Sequence, residues 1–456
     1  PIVPPLTMEP AGAHTRFRRP AIVPVRLHCR PDIVDPGGGL ESTMIEATAP
    51  RHHDACGVGF VADRHRRRTH RMTRLALQCL HSLDHRGAKA ADGTGDGAGL
   101  MTRLPYRLLA RELERSGLQA PPEGRLGVMM TFLPHDDAGV IRDMIRQSLA
   151  AEDLDLLAWR RVPAAPAVLG ERARSTMPVI EQALIGAGPG VAAEDEFERR
   201  LLLARKAQRR TATDAGYFDY HVVSSSCRVV VYKGLFTASR IEQFYWDLRD
   251  PTYETDFAVF HQRYSTNTSP SWELAQPFRM IAHNGEINTI WSNRAWMAAR
   301  EVDAGAEVWG DRVVDLRPFT PGGKSDSGNL DNAFELLVRS GRSLAHAKEM
   351  LIPAAWENVP DLDPALRAFY EYHAFLTDPW DGPAAIAASD GLSVLAGVDR
   401  NGLRPARWMV NPDVVLVASE AGVAPEEEIR AEATGQLGPG ELLGVDLATG
   451  EVRFSD

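Results

Sequence analysis

The chain has 456 residues, of which 44% are hydrophobic and 25% are charged, and its formal net charge is -10 at pH 7. This composition is that of an ordinary globular protein with enough apolar side chains for a large core. The negative charge argues against a general nucleic-acid-binding protein, which carries a basic surplus. No apolar run reaches the ~18 residues of a membrane span. We therefore expect neither nucleic acid nor a membrane as a partner.

Residues 1–43 are rich in proline and arginine and show no sustained hydrophobic periodicity, which predicts a disordered segment. The chain begins with Pro1, so Met44 is a candidate translation start. A transit peptide is the alternative interpretation, because the segment has several arginines and few acids. We expect residues 1–55 to be a leader and residues 56–456 to form the folded domain.

The four cysteines are far apart and form no CxxC pair: Cys29, Cys56, Cys79 and Cys227. Their spacing predicts neither a disulfide framework nor an iron–sulfur cluster in this chain and favours a reducing compartment. The first 43 residues also lack the apolar stretch of a secretory signal, so we expect a cytoplasmic protein. The histidines and cysteines between residues 52 and 85 match no usual zinc-ligand spacing, and no metal site is predicted.

Several helices and strands are predicted along the folded domain. Apolar residues recur at helical spacing from Met72 to Leu83, with Cys79 on the core face. The run from Phe257 to Arg263 predicts a strand that ends at a functional arginine. Further strands are expected at 228–232, 392–398 and 414–418, and helices around 195–210, 330–340 and 364–376. This order favours a layered α/β or α+β domain.

Cys56 is the candidate nucleophile of the sequence. A free thiol has a pKa of about 8.5 and is mostly protonated at neutral pH, so a base must assist it. The α-amine of a chain's first residue has a pKa of about 7.7–8.0 and can accept the proton. This chemistry requires that all residues before Cys56 be removed. A buried structural thiol is the alternative interpretation.

Five further residues have side chains or backbone groups suited to amide chemistry on an amino acid. Asn284 and Gly285 offer a side-chain amide and a close backbone N–H for an oxyanion hole. Arg86 and Arg263 are candidates for binding an α-carboxylate, and Asp326 for binding an α-ammonium group. An Asn-Gly pair is also an ordinary hairpin turn signal, and either arginine can be an ordinary surface residue. The glycine-rich run at 93–99 lacks a P-loop lysine, and we expect it to supply flexible backbone near a pocket.

Five segments in this order resemble the class II glutamine amidotransferases of the N-terminal nucleophile hydrolase superfamily, and most closely the amidotransferase domains of glutamate synthases. The segments that carry the resemblance are 56–60, 85–88, 261–268, 282–289 and 399–407. Asn267, where many other members of the family have histidine, favours the glutamate synthase branch. The resemblance implies an α+β fold, a four-layer α/β/β/α sandwich.

The resemblance also implies functional roles. Cys56 is the nucleophile and base, Asn284 and Gly285 form the oxyanion hole, and L-glutamine is bound by three side chains, Arg86, Arg263 and Asp326. No cofactor is expected in this chain, because FMN and an iron–sulfur cluster belong to a later part of such enzymes. The implied partners are a synthase domain of the same polypeptide and either ferredoxin or an NADPH-oxidising small subunit.

Two other functions remain open. A different class II amidotransferase would transfer ammonia to a sugar phosphate or an activated acid. A non-enzymatic regulatory relative would bind glutamine without turnover.

Overall fold

The computed structural model describes residues 56–263, 270–322, 325–425 and 429–455. Sixteen strands are found in this part of the chain: β1 (Gly57–Asp63), β2 (Ala98–Arg103), β3 (Leu126–Leu133), β4 (Leu154–Arg161), β5 (Val179–Ala187), β6 (His221–Ser226), β7 (Val229–Gly234), β8 (Phe257–Gln262), β9 (Ile281–Gly285), β10 (Ala384–Ser389), β11 (Ser393–Val398), β12 (Arg407–Val410), β13 (Val414–Ala418), β14 (Ala433–Gln436), β15 (Leu442–Asp446) and β16 (Val452–Phe454). The predicted leader, residues 1–55, lies outside the described residues.

Helices alternate with these strands. They are α1 (His70–Ser82), α2 (Tyr106–Arg115), α3 (Ala138–Ala150), α4 (Glu171–Ser175), α5 (Glu194–Asp214), α6 (Ile241–Phe244), α7 (Ile290–Arg300), α8 (Asp326–Arg339), α9 (Leu344–Leu351) and α10 (Pro364–Leu376). Several helices have a side chain that caps their N-terminus. At the start of α1 the Thr69 hydroxyl accepts a hydrogen bond from the Met72 N–H, as N-cap threonines do. No helix in the described residues is long and apolar enough to cross a membrane.

The strands form three antiparallel sheets. The first has seven strands in the order β14-β12-β13-β1-β8-β2-β7, and the second has five in the order β16-β15-β11-β10-β9. The third has four strands, β4-β5-β3-β6, and its core is shared with α3 and α5.

The first two sheets pack face to face, with a helical layer outside each. The alternation of side chains on β10 shows this arrangement: Ala385 and Ala387 join the core of the first sheet, whereas Ile386 and Ala388 join a core with α8 and α9. Helix α1 packs on the other side of β1 and β8. The predicted four-layer α/β/β/α sandwich is confirmed. The four-stranded third sheet is an addition that the sequence did not predict.

The elements predicted from the sequence are confirmed with small shifts at their ends. Cys79 is fully buried on the core face of α1, and β8 ends one residue before Arg263. In the described residues no disulfide links Cys56, Cys79 or Cys227, and Cys29 lies outside them.

Candidate active site

Two facing sheets bring Cys56 and Asn284 together, although they are far apart in the sequence. Cys56 directly precedes β1 of the first sheet, and Asn284 lies on β9, the edge strand of the second. The Cys56 backbone N–H donates to the Asn284 Oδ1 atom over 3.3 Å. The Asn284 Nδ2 atom donates in return to the Cys56 carbonyl over 3.0 Å. The side-chain amide of Asn284 is therefore fixed against the backbone of the candidate nucleophile.

Gly285 occupies a position that no side chain fits. Its φ is +154°, and a Cβ atom built on it would lie 1.8 Å from the carbonyl oxygen of Pro383. The same carbonyl accepts a hydrogen bond from the Glu286 N–H over 3.0 Å. Two residues further on, the Asn288 N–H donates to the Asp381 carbonyl over 2.8 Å. The segment before β10 thus supports the turn that follows Asn284.

Arg263 leaves the end of β8 in a left-handed backbone conformation, with φ of +92°. Its N–H donates to the Gly97 carbonyl over 2.8 Å, and its Nε atom lies 3.9 Å from Asp96 Oδ2. The glycine-rich run therefore has a packing role: a Cβ on Gly95 would lie 2.2 Å from the Phe236 backbone, and the last glycine, Gly99, lies inside β2. Close packing thus requires glycine at Gly95 and at Gly99, where a Cβ would lie 2.4 Å from the Gln276 carbonyl oxygen, whereas the expectation of a flexible backbone at this run stays a prediction.

Arg86 lies in a short 3-10 helix after α1 and is paired with Glu420. The Arg86 Nε atom donates to Glu420 Oε2 over 2.8 Å, and the other carboxylate oxygen lies 2.8 Å from His85 Nε2. Glu420 follows Ser419, which exchanges hydrogen bonds with Val58 on β1. Arg86 is thus held beside β1, the strand that directly follows Cys56.

Asp326 is the first residue of α8 and lies close to the turn after Asn284. The Asp326 Oδ2 atom accepts a hydrogen bond from the Ile287 N–H over 2.8 Å. Ser325 caps the helix, its hydroxyl accepting from the Gly328 N–H over 3.0 Å. The next residue, Ser327, is hydrogen-bonded over 2.7 Å to the ring of His283, the neighbour of Asn284.

The surroundings of the Cys56 thiol disfavour its ionised form. Burial raises the pKa of Cys56 to about 11, against the opposing attraction of the Arg263 and Arg404 charges, and Asp96 adds to the rise. A thiol in this state is almost entirely protonated at neutral pH, so a nucleophilic role requires a base within reach.

The six site residues predicted from the sequence lie on elements that meet at the start of β1. Three further residues were not predicted as site residues: Asp96, Arg404 and Glu420. Asp96 lies in the glycine-rich run at 93–99 and Arg404 in the segment 399–407, and both segments were recognised in the sequence. Their membership of these segments was a sequence signal for their proximity to Arg263 and Cys56. Glu420 had none beyond its place just after β13. Residues 264–269, which include Asn267, lie outside the described residues.

Within residues 56–263, 270–322, 325–425 and 429–455, no group of three or more histidine, cysteine, aspartate or glutamate side chains is placed to hold a metal ion.

Comparison with protein families gives one match that spans most of the chain. A profile of the family described as glutamine amidotransferases class-II matches residues 56–456. The match begins at Cys56 and includes all six predicted site residues.

Similar proteins include glutamate synthases of two kinds. The ferredoxin-dependent glutamate synthase 2 of Synechocystis is 44% identical over 402 residues, covering 87% of this chain and 26% of the relative. The NADPH glutamate synthase large chain of Azospirillum brasilense is 40% identical over 405 residues, covering 88% of this chain and 27% of the relative. The chain spans about a quarter of the length of these curated relatives.

A solved structure, the glutamine phosphoribosylpyrophosphate amidotransferase of B. subtilis complexed with ADP and GMP, is 14% identical to this chain. The alignment covers 72% of this chain and 48% of the other, with a TM-score of 0.29.

Proposed function

Because the chain belongs to the class II glutamine amidotransferases, we propose that it hydrolyses the side-chain amide of L-glutamine to L-glutamate and ammonia. The Cys56 thiolate attacks the amide carbon, the C–N bond breaks, and ammonia leaves with a proton from the α-ammonium group of Cys56. Water then hydrolyses the γ-glutamyl thioester. The observation that carries this proposal is the pair of hydrogen bonds between the Cys56 backbone and the Asn284 side chain.

Cleavage before Cys56 is part of the proposal. The N–H that now donates to Asn284 Oδ1 becomes a free α-amine when residues 1–55 are removed. Asn284 can then orient this amine, so that its lone pair accepts the thiol proton. Such a base is needed because burial raises the pKa of the thiol.

The remaining site residues bind glutamine and stabilise the charge that develops during the reaction. The Asn284 side chain and the Gly285 N–H stabilise the oxyanion of the tetrahedral intermediate. Arg86 and Arg263 bind the α-carboxylate of glutamine, and Asp326 binds its α-ammonium group. The carboxylates of Glu420 and Asp96 keep the two arginines in place.

The similarity to glutamate synthases supports a larger reaction. We propose that the ammonia reacts with 2-oxoglutarate, which would be aminated and reduced to glutamate in a synthase domain of the same polypeptide. FMN and an iron–sulfur cluster would belong to that domain, with ferredoxin or an NADPH-oxidising small subunit as the electron donor and the cytoplasm as the location. The relatives of both kinds, named for ferredoxin and for NADPH, support the glutamate synthase branch over other amidotransferases.

Intact mass spectrometry tests the proposal. The purified chain is measured before and after incubation with a diazo ketone analogue of glutamine. A mass that begins at Cys56 and gains one adduct is expected. The matched control is Cys56→Ala, which must gain none. An adduct on a chain that retains residues 1–55 would contradict the need for a free amine.

A chain expressed to begin at Cys56 separates the remaining explanations. If that chain gains one adduct while the longer chain stays uncleaved, processing depends on parts outside this sequence. If it gains no adduct and releases no ammonia from glutamine, the non-enzymatic alternative replaces the enzyme.

A further inference from the structure

A basic cavity lies apart from the candidate active site. Its volume is about 420 Å³, and none of the six site residues lines it. The wall is formed by α5, the beginning of β6, the segment before β9 and one face of α8. Six cationic side chains line it, against the acids Asp214 and Glu273: Arg205, Lys206, Arg209, Arg210, Arg279 and Arg317.

Helix α5 supplies four of these cations from two adjacent stripes. Arg205 and Arg209 are one turn apart, as are Lys206 and Arg210. Like charges at this spacing destabilise a helix. The concentration of positive charge on one face therefore has a cost that binding of an anion would offset.

Two of the cations are paired with carboxylates that lie behind the cavity wall. Arg205 and Arg279 share the buried carboxylate of Glu335, and Arg279 also lies 2.9 Å from Asp331. Although burial opposes its ionisation, these two guanidinium groups lower the pKa of Glu335 to about 2. This part of the wall is a closed ion network that fixes α5 to α8.

The other four cations have no carboxylate within hydrogen-bonding distance in the described part of the chain. Arg209 donates to the Tyr220 carbonyl over 3.1 Å, and Lys206 donates to the Pro318 carbonyl over 2.6 Å. Arg210 donates to backbone carbonyls and lies 4.0 Å from Asp315. Arg317 has no ion pair with a described residue. Burial, together with the nearby Arg205 charge, lowers the pKa of Lys206 to about 7.

We propose that this cavity is a binding site for a small organic anion that carries two or more carboxylate or phosphate groups. Guanidinium groups bind both kinds of group through paired hydrogen bonds. The volume is that of a small-metabolite site, and the apolar side chains of Leu274, Phe278 and Tyr220 can enclose the carbon skeleton. The anion bound at this site would be a ligand that glutamine hydrolysis does not use.

Calorimetric titration at constant ionic strength tests the site, with citrate as the carboxylate probe and fructose 1,6-bisphosphate as the phosphate probe. Saturable one-site binding of at least one probe is expected. The double variant Arg209→Gln/Arg317→Gln should weaken it about tenfold or more, because two guanidinium groups are lost. If the double variant does not fold, as judged by circular dichroism, Lys206→Gln is the replacement and should weaken binding in the same direction.

Two matched variants define the location of the binding. Arg146→Gln removes an arginine that is 57% exposed on α3 and should leave the affinity unchanged. Arg263→Gln changes the candidate active site and should also leave it unchanged. The proposal is overturned if neither probe binds, if Arg146→Gln weakens binding as much as the double variant, or if Arg263→Gln abolishes it.

Discussion

The Arg86 guanidinium is paired with Glu420 before any substrate arrives. Its Nε atom and one terminal nitrogen face the carboxylate, which leaves the other terminal nitrogen for a substrate carboxylate. Because Glu420 fixes the direction of this donor, we expect Glu420→Gln to raise KM for glutamine about tenfold, with kcat changed less than about twofold. Steady-state assays of glutamate release measure both.

Glu123→Gln is the control for this variant, because Glu123 pairs with Arg68 on the surface. It should leave KM unchanged. A lower KM in Glu420→Gln would mean that Glu420 competes with the substrate for Arg86.

Asp326 is assigned to the ammonium group of glutamine, and an analogue that lacks this group isolates its contribution. Glutaramate has the same side-chain amide and carboxylate without the α-amine. A hydrogen bond to a charged group contributes about 1.5–3 kcal/mol, so Asp326→Asn should lower kcat/KM for glutamine by about tenfold or more. Its kcat/KM for glutaramate should stay close to that of the unchanged protein. An equal loss on both substrates would make Asp326 a structural residue of α8.

The turn between β9 and α7 depends on Gly285. A Cβ at this position would overlap the Pro383 carbonyl, so Gly285→Ala must displace the backbone next to Asn284. We expect kcat to fall by about 10²-fold or more, as for the loss of an oxyanion donor, together with a lower Tm. Gly305→Ala is the control, because a Cβ there meets nothing within 4 Å. A kcat within twofold of the unchanged protein would exclude Gly285 from the oxyanion hole.

The sequence predicted those elements that have a clear hydrophobic period or a run of β-branched residues. Helix α1 has one apolar stripe, whereas β13 is buried at all five residues and was recognised by its valines rather than by alternation. In contrast, β3 is buried on both faces over all eight residues and has no alternation that separates a strand from a helix. The third sheet was missed for this reason.

The site itself was predicted residue by residue from motifs, whereas its assembly was not. The contact between Cys56 and Asn284 depends on two sheets packing face to face, which no local spacing specifies. Glu420 lies just after β13 and contacts Arg86, which is 334 residues earlier in the sequence. Partners of this kind come from tertiary packing, so a single sequence contains no signal for them.

Removal of residues 1–55 should change how the reactivity of the Cys56 thiol depends on pH. Burial raises the pKa of the thiol to about 11 in the chain with residues 1–55 attached. Below that pKa the thiolate fraction, and with it the rate of alkylation by iodoacetamide, should rise about tenfold per pH unit from pH 6 to 9 without a plateau. Peptide mass spectrometry reads the rate at Cys56 alone, and the buried Cys79 serves as the unreactive internal control.

The chain that begins at Cys56 should behave differently because its α-amine is a base with a pKa of about 7.7–8.0. As this amine loses its proton, it can accept the thiol proton, so the alkylation rate should level off above about pH 8. The processed chain should therefore react faster at neutral pH, and the two chains should approach each other only as the pH nears the thiol pKa. Identical pH profiles would show that the amine gives no assistance and would remove the reason for cleavage at Cys56.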